Sequence, residues 1–114
     1  MKLPKGTEAI VDMTKLTDYC LNPDHEEGKH KARVFRSALG ITKLNLELLR
    51  VGLLRAAATE DAMLVSETKY GNLYMLDFVL TTGMGSASIR SGWIIRTGES
   101  VPRLTTCFVN RRLN

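Results

Sequence analysis

The sequence NLYMLDFVLTTGMGSASIRSGWIIR, residues 72–96, predicts two β-strands joined by a glycine-rich turn. Residues 72–81 and 86–96 are rich in aromatic and branched side chains, which favour strands, and the turn at 83–85 contains two glycines. Because so short a connection cannot carry the chain back to a parallel neighbour, we expect these two strands to pair antiparallel.

Side chains alternate between two faces along the second of these strands. We expect one face to meet a layer of helices, and its residues are Ile89, Ser91, Trp93 and Ile95. The other face is then more open and carries Arg90 and Arg96, and Arg103 or Thr105 of the next strand could join them. Several arginines on a concave sheet face can hold an RNA backbone, because a guanidinium binds phosphate through two hydrogen bonds.

Strand patterns also occur on both sides of residues 72–96. A first strand is predicted at 62–68, before a tight turn at Tyr70 and Gly71. A last strand is predicted at about 101–109, with Pro102 at its entry, where a missing N–H is tolerated. The four strands are therefore expected to form an antiparallel meander.

The first half of the chain shows helical spacing. Helices are predicted at 13–21, 29–39 and 42–58, where apolar residues recur three and four positions apart. Gly40 is expected to end the second helix, and Thr42 to cap the third. We therefore predict an α+β fold, one domain of residues 1–114, with three helices packed on one face of a four-stranded antiparallel sheet.

Basic residues are concentrated in two segments, although the net charge of the 114-residue chain is only +4. Residues 28–58 hold seven lysines and arginines against one glutamate, and residues 86–114 hold five arginines against one glutamate. If the two segments meet in space, they form a phosphate-binding surface; otherwise they are solvated helix and strand faces.

Several features predict a cytosolic chain. No apolar stretch approaches the roughly 20 residues of a membrane span, and no apolar signal-peptide region follows Met1. Cys20 and Cys107 stand far apart and outside any CxxC pair. We expect two buried free thiols in a reducing compartment, with a disulfide between them as the alternative.

The segment HEEGKHKAR, residues 25–33, contains both histidines of the chain. Their spacing does not match the HExxH zinc motif, so no metal site is expected and His25 is assigned to a solvated turn. Lys29, Lys31 and Arg33 cluster where the second helix begins, and free N–H groups at a helix start attract phosphate. His30 is a candidate for proton transfer near neutral pH, the alternative being a surface histidine.

Asp77 interrupts a nearly continuous apolar strand. A buried, unpaired carboxylate is costly, so we expect Asp77 to pair with an arginine such as Arg90, with a catalytic role as the alternative. Tyr70 and Tyr74 could stack on a base, although core packing explains Tyr74 equally well. The sequence contains no nucleophile elbow, Walker A loop or dinucleotide fingerprint, so no cofactor is expected.

Five groups of residues carry a resemblance to a known family. They are 15–19 with 21–25, 31–35 with 38–40, Tyr70 and Gly71 with Tyr74 and Asp77, 90–95, and 102–106. On these groups the chain resembles a bacterial family of domains of unknown function that occurs as small standalone proteins. It is similar to the C-terminal domains of polymorphic and contact-dependent toxins, from about Pro4 to Val109.

Those toxins resemble the Barnase–EndoU–Colicin–RelE (BECR) superfamily, whose members carry N-terminal helices on a four-stranded antiparallel sheet. The resemblance implies metal-independent RNA cleavage, often of tRNA, by attack of a 2′-hydroxyl on the adjacent phosphate. It carries over, by position, Lys31, Arg90, Trp93, Arg103 and Thr105 or Thr106. The chain departs from the toxin pattern at His30, where relatives often have asparagine, and at 83–85, which replaces a Pro-Asn-Gly turn.

We therefore interpret the chain as an endoribonuclease of toxin type, acting on RNA and tRNA in particular, with a cognate antitoxin or immunity protein as partner. Arg90 and Arg103 would hold the scissile phosphate, His30 or Lys31 would move protons, and Thr105 or Thr106 would position the phosphate. Candidate substrate-binding residues are Lys29, Arg33, Tyr70, Asp77, Trp93 and Arg96. The alternatives are a non-catalytic RNA- or protein-binding module on the same fold and a small phage or secretion component.

Overall fold

The computed structural model describes residues 1–110. Within them, three helical regions come first and an antiparallel sheet of four strands follows, so the predicted α+β fold is confirmed. Arg111 and Arg112, which the sequence places in the second basic segment, lie outside the described residues.

The first two helices begin and end where the sequence predicts. Helix α1 starts as one α-helical turn, Met13–Lys15, and continues as a π-helix, Leu16–Cys20. Helix α2 is Lys29–Leu39, and Gly40 ends it in the left-handed conformation, with φ of 68°. Glycine adopts that conformation readily because it has no Cβ.

The third helix begins later than predicted. Thr42 caps a 3-10 turn, Lys43–Asn45, because its Oγ1 accepts a hydrogen bond from the Leu44 N–H at 3.2 Å. The α-helix itself, α3, is Glu47–Thr59. In residues 1–110 no helix is both long and apolar enough to cross a membrane.

The sheet is a meander in which every strand pairs with its neighbour in sequence. Its strands are β1 (Met63–Thr68), β2 (Gly71–Thr82), β3 (Gly85–Arg96) and β4 (Arg103–Val109), in the order β1-β2-β3-β4. The register places Asp77 opposite Arg90 and Tyr74 opposite Trp93. This register sets which side chains share a face.

The core lies between the helices and the inward face of the sheet. Trp93, Phe35 and Leu53 are fully buried there. The indole N–H of Trp93 donates to Ser91 Oγ at 2.9 Å, and Ser91 Oγ donates to the Leu76 carbonyl at 3.2 Å. The two polar side chains of this region are thus hydrogen-bonded, which removes the cost of burying them.

A β-bulge in β4 breaks the simple alternation expected for that strand. Trp93 pairs with Leu104 and Gly92 pairs with Thr106, so Thr105 is the extra residue. Leu104 and Cys107 both become buried, whereas strict alternation places them on opposite faces. Leu104 therefore does not share a face with Thr106 and Phe108, because the bulge shifts the pattern by one residue.

The outer edge of β4 is partly covered by the N-terminal segment. Ile10 forms a parallel bridge with Arg103, and the Leu104 N–H donates to the Ile10 carbonyl at 3.0 Å. This bridge satisfies edge groups that would otherwise be unpaired. It also brings the neighbouring Asp12 to Arg103, at 4.0 Å between Nη1 and Oδ2.

We predict that Gly28→Ala destabilises the chain. A Cβ at position 28 would lie 2.1 Å from the carbonyl oxygen of Tyr19, so the start of α2 would be forced away from the end of α1. We expect a loss of about 2 kcal/mol in the free energy of unfolding, measured by urea denaturation. Gly83→Ala is the control, because no atom lies within 4 Å of a Cβ there. Equal stability of the two variants would contradict the close contact.

Candidate active site

The open face of the sheet carries three rows of side chains. Each row contains one residue from β2, one from β3 and one from β4: Asp77, Arg90 and Phe108; Met75, Gly92 and Thr106; Leu73, Ile94 and Arg103. The predicted residues Arg90, Arg103, Thr106 and Asp77 thus share this face.

Arg90 and Asp77 form a bidentate ion pair. Arg90 Nε donates to Asp77 Oδ1 at 2.9 Å, and Arg90 Nη2 donates to Oδ2 at 3.0 Å, which confirms the predicted pairing. The hydrogen bonds to the carboxylate raise the pKa of the Arg90 guanidinium above its ordinary value. The side chains are 28% and 39% exposed, so the guanidinium is oriented by Asp77 and still reachable from solvent.

The surroundings of Arg90 differ on its two sides. Towards β1, it lines a concavity of about 480 Å³ together with Asp77, Glu60 and Asp61, so that side is acidic. Towards β4, its neighbour across the sheet is Phe108. An anion would therefore meet less repulsion on the β4 side, although the guanidinium itself is turned toward Asp77 of β2.

Arg103 is also held by carboxylates. Its Nε donates to Glu99 Oε1 at 3.3 Å, and its Nη1 lies 4.0 Å from Asp12 Oδ2. Both arginines assigned to phosphate binding therefore already have anionic partners.

The two threonines of β4 lie at the bulge, beside Gly92. A Cβ on Gly92 would come within 2.9 Å of Thr105 Oγ1 and 3.4 Å of Thr106 Cγ2, so both side chains occupy the space a larger residue would need. Thr106 Oγ1 is buried without a hydrogen-bond partner among residues 1–110. Thr105 and Thr106 are thus close to Arg90 along the sheet, one row away.

A shallow concavity of about 380 Å³ forms where α2 meets the margin of β4. Its lining is His30, Lys31, Val34, Phe108 and Val109. Lys31 Nζ donates to the Tyr19 hydroxyl at 2.7 Å and lies 5.9 Å from the centre of the Phe108 ring. The exposed His30 and the tethered Lys31 therefore stand next to the row that contains Arg90.

Sequence reasoning missed Tyr19 and Phe108 at this margin. Tyr19 orients Lys31, and its ring also contacts His25 edge-on, with ring centres 5.0 Å apart. His25 Nδ1 in turn accepts the N–H groups of Glu27 and Gly28. No local pattern in the sequence marks Phe108 as a site residue, and only the fold brings Tyr19 to Lys31.

Other predicted residues lie elsewhere. Lys29 and Arg33 line a groove on the opposite flank of α2. Arg96 and the exposed Tyr70 lie at the far end of the sheet, where the Thr97 N–H donates to the Tyr70 carbonyl. The basic residues of the two segments therefore do not all come together on one surface.

Trp93 requires a correction. Its exposed fraction is 0%, and it packs between the sheet and the helices. Its assignment to substrate binding was wrong, because the alternation that exposes Arg90 places Trp93 in the core.

Cys20 and Cys107 meet beneath this margin. Both are buried and free, as predicted. The Cys107 S–H donates to the Cys20 sulfur, and this hydrogen bond, together with burial, raises the pKa of Cys107 well above its ordinary value. Among residues 1–110, no three His, Cys, Asp or Glu side chains are grouped so as to hold a metal ion.

Fold and site together define an α+β chain whose helices cover one face of the sheet. The open face carries two arginines that are ion-paired with carboxylates, and two threonines. The chain belongs to the family Domain of unknown function (DUF6883), whose model matches residues 2–111. The predicted membership of a family of this kind is thereby confirmed. No curated protein matches the chain in sequence.

A solved structure shares the fold. It is a chain of the contact-dependent growth inhibition toxin–immunity protein complex from Klebsiella pneumoniae 342, with a TM-score of 0.71 and 13% sequence identity. The similarity covers 95% of this chain and 98% of that chain. At this identity the similarity shows a common fold.

We predict that the raised pKa of Cys107 makes stability fall at alkaline pH. Below the thiol pKa of the unfolded chain, Cys107 is protonated in both states; above it, only the unfolded chain loses the proton, so unfolding becomes easier. The same hydrogen bond lowers the pKa of Cys20, which has the opposite effect on stability, but the shift at Cys107 is the larger of the two. The urea midpoint should therefore decrease between about pH 8 and pH 10. The double variant Cys20→Ala, Cys107→Ala lacks this contribution, so its midpoint should decrease less. Parallel pH profiles for the two proteins would contradict the assignment.

Proposed function

We propose that the chain is an RNA-cleaving toxin domain. The main support is the arrangement at the β4 margin, where His30 and Lys31 adjoin the row of Phe108 and Arg90. A proton-transfer group and a lysine at one concavity, with an arginine across the sheet from Phe108, are the kinds of group that phosphate transesterification requires. The fold shared with a chain of a toxin–immunity complex supports the same proposal.

In this proposal the 2′-hydroxyl of a ribose attacks the adjacent phosphorus, and the 5′-oxygen of the next nucleotide leaves. The products are a 2′,3′-cyclic phosphate and a 5′-hydroxyl. His30 accepts the proton of the 2′-hydroxyl, and Lys31, held by Tyr19, donates to the leaving oxygen or stabilises the negative phosphorane. No metal is needed for either step.

Arg90 and the threonines would hold the phosphate. Arg90 is oriented by Asp77 and partly exposed, and Thr105 and Thr106 provide hydroxyls one row away. Arg103 is a second cation on the same face, and Phe108 offers a ring on which a base can stack. A cognate inhibitor protein is expected as partner, because an active nuclease would harm the cell that makes it.

The second candidate function is a non-catalytic binding module. The observation that favours it is the pairing of Arg90 with Asp77 and of Arg103 with Glu99 and Asp12, which leaves neither guanidinium without an anionic partner. A module of this kind would bind RNA or protein and would leave RNA intact.

We predict that inducible expression in bacteria arrests growth and produces discrete tRNA or rRNA fragments on a gel of total RNA. His30→Ala and Arg90→Ala should each reduce fragment formation by about 10²-fold or more, because each removes a group that acts in the transition state. Arg55→Ala is the matched control, since it removes one exposed positive charge from α3, which packs on the other side of the sheet. Normal growth and intact RNA with folded, well-expressed wild-type protein would favour the binding module.

We further predict the chemistry of the products with purified protein and a tRNA mixture. Cleavage should continue in excess EDTA and should yield 2′,3′-cyclic phosphate ends, detected by the resistance of the 3′ end to ligation until the ring is opened and the phosphate is removed. A substrate with a 2′-deoxy nucleotide at the cleaved position should remain intact. Cleavage of that deoxy substrate would exclude attack by the 2′-hydroxyl and with it the proposed roles of His30 and Lys31.

A further inference from the structure

A groove of about 560 Å³ runs between α2 and the segment that follows it. Its apolar lining is Leu21, Pro23, Ala32, Ile41 and Leu44, and its basic lining is Lys29, Arg33, Arg36 and Lys43. No acidic and no aromatic residue is found among the described residues that line it. Leu21, Ala32 and Ile41 are buried, so the accessible apolar surface of the groove comes from Pro23 and Leu44, between basic rims.

The four basic side chains of the groove have no anionic partner within residues 1–110. All four are exposed, and none takes part in an ion pair or a side-chain hydrogen bond. Glu26 and Glu27, which stand just before α2, do not pair with them either. This contrasts with Arg90 and Arg103, both of which are paired.

The basic residues of α2 are arranged on one flank. Lys29, Arg33 and Arg36 are separated by four and three positions, so they follow one another along about 10 Å of the helix. Lys43 faces them from the other rim. Carboxylates at the same three- and four-residue spacing on a second helix would meet them in register.

The apolar part of the groove extends beyond its rim. Leu44 is 99% exposed, and Leu48 and Val51, four and seven residues further on, are each 49% exposed. Leu44 belongs to the 3-10 turn, and Leu48 and Val51 belong to α3. Exposed apolar side chains that recur at about one-turn spacing are characteristic of a contact site for another protein.

We propose that this groove binds an acidic amphipathic helix of a partner protein. Leucine-type side chains of that helix pack on the exposed Pro23 and Leu44, and its carboxylates pair with Arg33 and Arg36. An RNA strand fits less well, because single-stranded bases stack on aromatic rings and the groove lining offers aliphatic groups instead.

The groove does not overlap the residues proposed to cleave RNA. The groove lies on one flank of α2, whereas His30 and Lys31 line the concavity on the other flank. Binding to the groove can therefore be measured whether or not the chain cleaves RNA.

The test uses a fluorescent 16-residue helical peptide with leucines on one face and glutamates on the other. We expect it to bind the full chain, and the double variant Arg33→Glu, Arg36→Glu to weaken binding at least about tenfold, measured by fluorescence anisotropy. Leu44→Asp should also weaken binding, because it places a charge against the apolar face of the peptide. Arg55→Glu is the matched control, since it reverses one exposed charge on α3 outside the groove lining. Circular dichroism confirms that each variant is folded.

Three results would overturn the proposal. The first is equal binding of a peptide of the same composition whose leucines are dispersed around the helix, because then charge alone is recognised. The second is binding that Arg33→Glu, Arg36→Glu leaves unchanged. The third is tighter, groove-dependent binding of a 16-nucleotide RNA than of the amphipathic peptide, which would assign the groove to nucleic acid.

Discussion

The burial of Trp93 is the constraint on which the rest of the structure depends. Once its indole packs against the helices and donates to Ser91, the alternation of β3 directs Arg90 and Gly92 to the opposite face. The pairing with β2 and β4 then brings Asp77 and Phe108 to either side of Arg90. The candidate active site is thus the outer side of the same strand whose inner side forms the centre of the core.

Electrostatics on the open face determine how an RNA phosphate would compete with the carboxylates already present. The Asp77–Arg90 pair is partly exposed, and exposed ion pairs contribute roughly 0–1 kcal/mol each. Such a pair orients the guanidinium without holding it strongly against a second anion. Glu60 and Asp61 make the β1 side acidic. A phosphate would therefore replace the Asp77 carboxylate at Arg90 more easily if it approached from the side of Phe108 and Lys31.

Local signals in the sequence were sufficient for most of the fold. The bounds of α2, its end at Gly40 and the pairing of β2 with β3 follow from helical spacing, from the conformational freedom of glycine and from a short turn. Because each of these signals acts within a few residues, they can be read without knowing the tertiary structure. The Asp77–Arg90 pair was also predictable, since a carboxylate in an apolar strand needs a cation nearby.

The features of the fold and of the site that could not be predicted depend on contacts between distant parts of the chain. The bulge at Thr105 has no sequence signal of its own, because threonine is an ordinary strand residue. Arg103 meets Asp12 only because Ile10 bridges to β4, and Lys31 meets Tyr19 only because Gly28 lets two backbone segments approach closely. Each of these contacts changes the partners and the orientation of a candidate site residue. The sequence therefore predicted which residues lie at the site better than it predicted their roles.

Helix α2 connects the two surfaces that the charged residues form. One flank presents Lys31 to the margin of β4, and the other presents Lys29, Arg33 and Arg36 to the groove. Because both sets belong to one rigid helix, a ligand in the groove can influence Lys31 only by moving the helix as a whole. The close contact between Gly28 and the Tyr19 carbonyl opposes such movement at the start of α2, where Lys31 is also tied to the Tyr19 hydroxyl. The two surfaces are therefore expected to bind their ligands nearly independently, so that a partner in the groove would hold the chain without closing its open sheet face.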